Sequence, residues 1–239
     1  YDAQEPFIGF HLHIPGLLSL MANRSFGSFV PGMKDLVYGN AEQNILGKKG
    51  DDVRIDWGYF YLAAAAEKQT SMKLGEYHAV KSEFNESGVL VAKEGEVSQK
   101  MQEEMPVLAY SRNLGKVDAS SSNGYLMIGY DDLYSIQYFN ENLLPYWKRN
   151  GQVDIYQAFE KASSNYASVM QRCNDFDGTL MEQAAKDGGE MYAELCALAY
   201  RQAIAAHKLV ESKEGDLLFF SKENFSNGSI GTVDVTYPS

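Results

Sequence analysis

The period of the hydrophobic pattern changes near Tyr130, and this change limits the possible folds more than any other feature of the chain. Before Tyr130, short apolar runs alternate with clusters of glycine, serine, asparagine and aspartate, which is typical of β-strands joined by turns. After it, apolar residues recur every three or four positions, which is the spacing of amphipathic helices. The sequence therefore predicts a β-rich domain at residues 1–148 and a helical domain at residues 149–239.

Four short runs predict the strands of the first domain. Residues 52–61 alternate apolar side chains with polar or small ones, as in a half-buried strand. Residues 89–92, 106–111 and 125–130 are apolar runs bounded by turn residues. Several short strands between turn clusters favour a β-sandwich over alternating β-α units.

Helical spacing predicts the elements of the second half. Residues 133–147, 153–172 and 190–210 carry this spacing, and a short helix capped by Asp177 and ending at Gly188 lies between the last two. The 190–210 helix is apolar over much of its circumference, which predicts burial inside a layer of helices. Helices joined by short loops predict antiparallel helical hairpins.

Charge and hydropathy exclude several classes of partner. The formal net charge is −11 and there is no basic stripe, so we expect no nucleic acid partner. No apolar run reaches the roughly 18 residues of a membrane-spanning helix. The two cysteines, Cys173 and Cys196, fit either a disulfide or two free thiols.

The common catalytic motifs are absent from the sequence. It has no Gly-x-Ser-x-Gly elbow, no Ser-x-x-Lys and no glycine-rich phosphate loop. His11 and His13 would share one face of a strand, but no third ligand lies near them, so we predict no metal site. Asp131 and Asp132 fit either a cation site or the capped N-terminus of a helix.

The segment 221–235 is the richest in groups that can bind or transform a polar small molecule. Glu223 and Asp234 can supply a general acid and a general base, and Asn224 and Asn227 can supply amide hydrogen bonds. The alternative is a turn-rich connector whose side chains bind their own backbone. Upstream, Arg201 lies among apolar neighbours, where a guanidinium either pairs with an acidic residue or reaches toward a cleft.

Five blocks of this sequence resemble glutaminase A-type proteins, and the resemblance spans about residues 39–239. Residues 1–38 match no pattern of that family. The blocks are Gln43–Ala63, Ala109–Gly115, Met127–Phe139, Tyr192–His207 with its Ala199-Tyr200-Arg201-Gln202 run, and Lys222–Pro238.

The resemblance implies a fold and an activity. The implied fold is a β-sandwich followed by an α/α toroid of six helical hairpins, of which this chain holds the first ones. Because family members continue past Tyr237-Pro238-Ser239, we expect this chain to be a fragment whose partner is the remaining C-terminal hairpins of the same protein. The implied activity is hydrolysis of L-glutamine to glutamate and ammonia without a cofactor. Export to the periplasm or cell surface of a Gram-negative bacterium is also implied.

In a toroid of this type, long loops between outer and inner helices border the central cleft, which would place the 223–234 loop near its mouth. The resulting hypothesis has Glu223 or Asp234 activating water and the two asparagines holding the substrate, while Arg201 or Lys222 receives its α-carboxylate. Two alternatives stay open at this point. One is a carbohydrate-active six-hairpin protein that cleaves a glycoside with two carboxylates. The other is a binding module without catalysis.

Overall fold

The computed structural model describes residues 7–11, 20–22, 33–40, 43–47, 57–91, 98–100, 106–115, 124–222 and 230–231. The described residues form two compact units, one ending at Leu133 and the other beginning at Tyr134. The first unit is rich in strands, and the second contains a helical hairpin. The predicted order of β-structure followed by helices is therefore confirmed. The domain boundary at residues 148 and 149 stays a prediction.

The described strands of the first unit are β1 (Phe7–His11), β2 (Leu20–Ala22), β3 (Met33–Asn40), β4 (Tyr59–Ala65), β5 (Thr70–Glu76), β6 (Ser98–Lys100), β7 (Pro106–Asn113) and β8 (Leu126–Asp131). They form two antiparallel sheets, one with the strand order β6-β2-β3-β4-β8 and the other with the order β1-β7-β5. The helix α1 (Tyr77–Ser87) follows β5.

One hydrophobic core joins side chains from both sheets. In the β3–β4 ladder, Leu36 lies opposite Leu62 and Tyr38 lies opposite Phe60. Because side chains alternate along a strand, these residues share one face of the sheet. Buried side chains of β5 and β7 pack against that face, namely Met72, Leu74, Leu108 and Tyr110. The shared core accounts for the strong apolar character of these strands, while the sandwich arrangement itself stays a prediction.

A hydrogen-bonded corner leads into β4 and involves the end of β8. The indole Nε1 of Trp57 donates to the backbone oxygen of Asp132 at 2.8 Å, and the Tyr130 hydroxyl donates to the Trp57 oxygen. The Gln43 side chain binds Gly58 twice, because its oxygen accepts from the Gly58 N–H and its nitrogen donates to the Gly58 carbonyl. These bonds fix the start of the central strand.

The described elements of the second unit are β9 (Ile136–Tyr138), β10 (Glu141–Leu143), a 3₁₀ turn (Tyr146–Lys148), α2 (Ile155–Ser164), α3 (Tyr166–Gly188), α4 (Glu190–Ala205), β11 (His207–Glu211) and β12 (Leu217–Ser221). The strands β9 and β10 form a small hairpin that precedes the helices. The α3–α4 pair is antiparallel, and the rings of Phe176 and Tyr200 lie 5.0 Å apart across it. A second two-stranded sheet, β11–β12, follows α4.

Two predicted strands differ from the structure in the first unit. Residues 89–91 lie outside any strand, and Leu90 is instead buried against Val80, Val107 and Ala109. Of the predicted 52–61 strand, residues 52–56 lie outside the described residues, and the strand that is observed starts at Tyr59. Short apolar runs show that a segment is buried but not that it pairs with another strand.

The helix predicted at 133–147 is wrong, because this segment forms the β9–β10 hairpin and a 3₁₀ turn. Phe139 and Asn140 have φ angles of 45° and 66°, which make the tight turn between these strands. Ile136 and Leu143 face the same small core from the two strands. The apolar residues of a hairpin with one buried face can therefore have the same spacing as those of an amphipathic helix.

The helix boundaries also differ from the predictions. The predicted 153–172 helix is interrupted at Asn165, where α2 ends and α3 begins, and Asp177 lies inside α3 rather than at its start. The predicted 190–210 helix ends at Ala205, and its last residues pair as β11 with β12. Pairing with a distant segment overrides helix propensity at such positions.

The α4 helix is exposed rather than buried in a helical layer. Ala193 is its buried residue, whereas Leu195 and Leu198 are 60% and 50% exposed. None of the helices in the described part of the chain is long and apolar enough to cross a membrane.

Candidate functional site

The base of the predicted site loop is held at the end of α4. Lys222 forms an antiparallel bridge with Ile230, and the Gly231 N–H donates to the Ser221 carbonyl at 2.9 Å. The backbone N–H of Lys222 donates to the carbonyl of Ala206, also at 2.9 Å. The chain therefore leaves and returns at one place, directly beside the residue that follows α4.

Lys222 is the most deeply buried charged residue at this base. It is 6% exposed, and its ammonium donates to the carbonyl oxygen of Ser135 at 3.0 Å. The Ser135 backbone is fixed in turn, because its N–H donates to the Leu143 carbonyl. A buried ammonium is costly unless it is hydrogen-bonded, so this contact ties the loop base to the β9–β10 hairpin.

A small hydrophobic core supports the loop base. It is built from Ile136, Leu143 and Val210, and Leu218, Phe220 and Ile230 pack against it. These side chains come from both small sheets and from the returning end of the loop. The base is therefore held by apolar packing as well as by hydrogen bonds.

His207 is a titratable group at this base that the sequence predictions did not include. It lies opposite Ser221 in the β11–β12 ladder, and its ring stacks on Phe219 with centroids 4.4 Å apart. Its Nδ1 is hydrogen-bonded to the Ala203 carbonyl. One signal in the sequence could have pointed to His207. It is an imidazole immediately after a helix, within a block that already resembled a known family.

The predicted site residues are only partly covered by the structure. Arg201 is exposed on α4 and precedes Ala206 by five residues, a rise of about 8 Å along a helix axis. Lys222 is buried at the loop base. The structure therefore brings the C-terminal end of α4 and Lys222 together. The other four candidates lie outside the described residues, namely Glu223, Asn224, Asn227 and Asp234.

No cluster of three or more histidine, cysteine or carboxylate side chains suited to a metal occurs among the described residues. The side chain of His11 and the whole of His13 lie outside them. The Asp131 carboxylate accepts from the Leu133 N–H at 2.9 Å. Because no α-helix follows in 133–147, the helix-capping interpretation of Asp131 and Asp132 is wrong.

Cys173 and Cys196 are free thiols. The contact between Phe176 and Tyr200 sets the register of the α3–α4 hairpin. In this register Cys173 lies beside position 203 of α4, whereas Cys196 is seven residues away from that position. This offset of seven residues is about 10 Å along the axis, which is too far for a disulfide.

These features define a class of protein, in which a β-rich region leads into helical hairpins and a polar loop is fixed at the end of a helix. Residues 23–183 match the family described as "Domain of unknown function (DUF5127)", and the chain belongs to this family. Residues 189–239 match the "Glutaminase A six helical-hairpin domain". The resemblance to glutaminase A-type proteins is confirmed by these matches. Because the first match begins at residue 23, the expectation that residues 1–38 match no pattern of the family is wrong for residues 23–38.

Two curated relatives are similar over most of this chain. A protein named Glutaminase A from Aspergillus oryzae is 28% identical over 188 residues, which cover 77% of this chain and 27% of the relative. A protein named Probable glutaminase from Arthroderma benhamiae is 24% identical over 201 residues, which cover 78% of this chain and 22% of the relative. The chain thus spans about a quarter of the length of each, and both are fungal proteins, not bacterial ones.

Proposed function

We propose that this chain is part of an amidohydrolase that converts L-glutamine to glutamate and ammonia. One observation carries the proposal. The segment that matches the glutaminase A six helical-hairpin domain, residues 189–239, contains every candidate site residue named above. The names of both curated relatives support the same activity.

The proposed chemistry assigns the two carboxylates of the loop. One of Glu223 and Asp234 takes a proton from water, whose oxygen attacks the side-chain amide carbon of glutamine. The other donates a proton to the nitrogen, which leaves as ammonia when the C–N bond breaks. Asn224 and Asn227 hold the substrate through amide hydrogen bonds. The proposal needs no cofactor for this step.

Arg201 is the better of the two candidate cations for the α-carboxylate of the substrate. Its side chain is exposed on α4 near the loop base, and a guanidinium binds a carboxylate with two parallel hydrogen bonds. The ammonium of Lys222 is directed instead to the Ser135 carbonyl. We therefore assign Lys222 to anchoring the loop.

Further helical hairpins of the same protein are the proposed partner of the exposed face of α3 and α4. This face carries large apolar side chains that water contacts in the described structure, among them Phe176, Leu195 and Leu198. Exposed apolar area of this kind usually marks an interaction surface. The much greater length of both relatives supports a partner from the same polypeptide.

The test is ammonia release from L-glutamine by the full-length protein that contains this chain. Asp234→Asn keeps the shape of the side chain and removes its charge, so we expect activity to fall by at least about a hundredfold. Asp177→Asn is the matched control, because Asp177 is an exposed residue of α3 outside the matched six-hairpin segment. This control should keep wild-type activity.

Two results would contradict parts of the proposal. Unchanged ammonia release in Asp234→Asn would support glutaminase activity but show that Asp234 is not part of its site. No release from folded wild-type protein would reject the glutaminase, and a panel of glycosides would then separate the carbohydrate-active alternative from a binding module.

A further inference from the structure

Asp35 is a buried carboxyl group in the middle of β3. It is 8% exposed, and it lies opposite Ala63 in the β3–β4 ladder. Its neighbours on the same face of the strand, Met33 and Val37, are also buried. Within the described part of the chain, the Asp35 Oδ2 atom is buried and has no hydrogen-bond partner.

Among the residues that the structure describes, few groups near Asp35 could balance a negative charge. On the neighbouring strand β4, the titratable residues that share its face are Tyr59 and Tyr61, which lie opposite Gly39 and Val37. Lys34 is next to it in sequence but points to the other face, where its ammonium donates to the Thr70 carbonyl at 3.1 Å. The described β2–β3 ladder reaches only Gly39 and Asn40, and the β5 strand packs against the opposite face.

Burial therefore raises the pKa of the Asp35 carboxyl from 3.8 to about 6. An ionised carboxylate loses its hydration when it is buried, and no described charge or hydrogen bond replaces that hydration here. The protonated form has no such cost. Asp35 thus changes charge within a pH range that cells and their surroundings commonly reach.

We propose that Asp35 is a proton-dependent switch that favours the folded first unit in mildly acidic surroundings and loosens it once the carboxyl ionises. This inference is independent of the proposed glutaminase activity. In the unfolded chain the carboxyl ionises near its ordinary value, so between the two pKa values the folded state holds a proton that the unfolded state has lost. The contribution of Asp35 is therefore most favourable at low pH and is lost as the pH rises through about 6.

The test compares urea unfolding of the full 239-residue chain with that of Asp35→Asn between about pH 4 and about pH 8. The ratio of the two folding equilibrium constants, wild type over variant, should fall by about sixtyfold over this range. The same ratio for the exposed control Asp177→Asn should stay nearly constant. Using the ratio removes the contribution of all other titrating groups. Parallel curves for wild type and Asp35→Asn overturn the proposal.

A second variant and a direct measurement cover the case in which the buried amide prevents folding. Asp35→Val places a β-branched apolar residue in the strand and, like Asp35→Asn, removes the titrating carboxyl. The ratio of the folding equilibrium constants, wild type over Asp35→Val, should therefore fall with pH in the same way. The carbon-13 resonance of the Asp35 carboxyl in labelled wild-type protein provides an assay without any substitution. A titration midpoint near 6 supports the switch, and a midpoint near the ordinary value of an aspartate overturns it.

Discussion

The core of the first unit and the α3–α4 hairpin contain similar apolar residues in opposite surroundings. Phe60 and Leu62 are less than a tenth exposed, because buried side chains of β5 and β7 pack against them. Phe176 and Leu195 are about half exposed, because in the described structure nothing covers that side of the helices. An apolar pattern shows that a face favours burial, but the element that buries it can be far away in the chain.

The two regions also differ in how they satisfy their backbone hydrogen bonds. A helix bonds its own backbone along most of its length, so α3 and α4 can form while their apolar faces stay exposed. A strand has no such option, and β4 is stable only between β3 and β8. The described strands are therefore found together with the strands that complete their core, whereas α3 and α4 can form before the element that covers their apolar face is present.

The largest expected effect is at Phe60. Phe60→Ala should lower the free energy of unfolding by about 3–5 kcal/mol, because it leaves a cavity in the core that both sheets share. Phe176→Ala is the matched substitution in the hairpin and should cost about 1 kcal/mol, since it removes one ring contact at an exposed position. Urea unfolding followed by circular dichroism measures both values. Equal losses would remove the distinction between the two regions.

A smaller effect is expected at Lys222. Lys222→Met keeps most of the apolar side chain but removes the ammonium that donates to the buried Ser135 carbonyl, so the free energy of unfolding should fall by about 1–3 kcal/mol. Lys213→Met is the control, because Lys213 forms an exposed ion pair with Glu141 that is worth less than about 1 kcal/mol. A loss at Lys222 no greater than at Lys213 would show that the buried contact does not hold the loop base.

The smallest effect on stability is expected at Leu195. Leu195→Gln should change the free energy of unfolding of this chain by less than about 0.5 kcal/mol, because the side chain is largely exposed. Ala193→Leu, on the buried side of the same helix, should cost about 1–3 kcal/mol by overpacking. Thermal unfolding of both variants tests this contrast. A large loss in Leu195→Gln would mean that the exposed face is already covered.

Sequence reasoning found the elements whose patterns are long or clearly bounded. The runs at 106–111 and 125–130 are observed as β7 and β8, because turn residues bound both and apolar residues fill them. The turn between α3 and α4 was found because two glycines, Gly188 and Gly189, mark it, although α3 itself was predicted as parts of two helices. The helix predictions at 133–147 and 207–210 were wrong for one reason. Both segments pair with strands, and helical spacing carries no information about pairing.

The sequence predicted the types of residue in the candidate site but not the contacts between them. The density of carboxylates and amides at 223–234 is visible in the sequence. The contact between Lys222 and Ser135 is not, because 87 residues separate them. The stacking of His207 on Phe219 likewise depends on the β11–β12 register. The expected export and the site roles remain predictions for experiment.

The corner at Gly58 restricts how this family can diverge. Gly58 has a φ angle of 91°, and a Cβ atom there would lie 2.5 Å from the Asp131 carbonyl oxygen. Every other amino acid is therefore doubly disfavoured at this position, by backbone strain and by collision. An alignment of relatives should show glycine here even where the surrounding strands have drifted, and a relative with a side chain at this point must enter its central strand by a different turn.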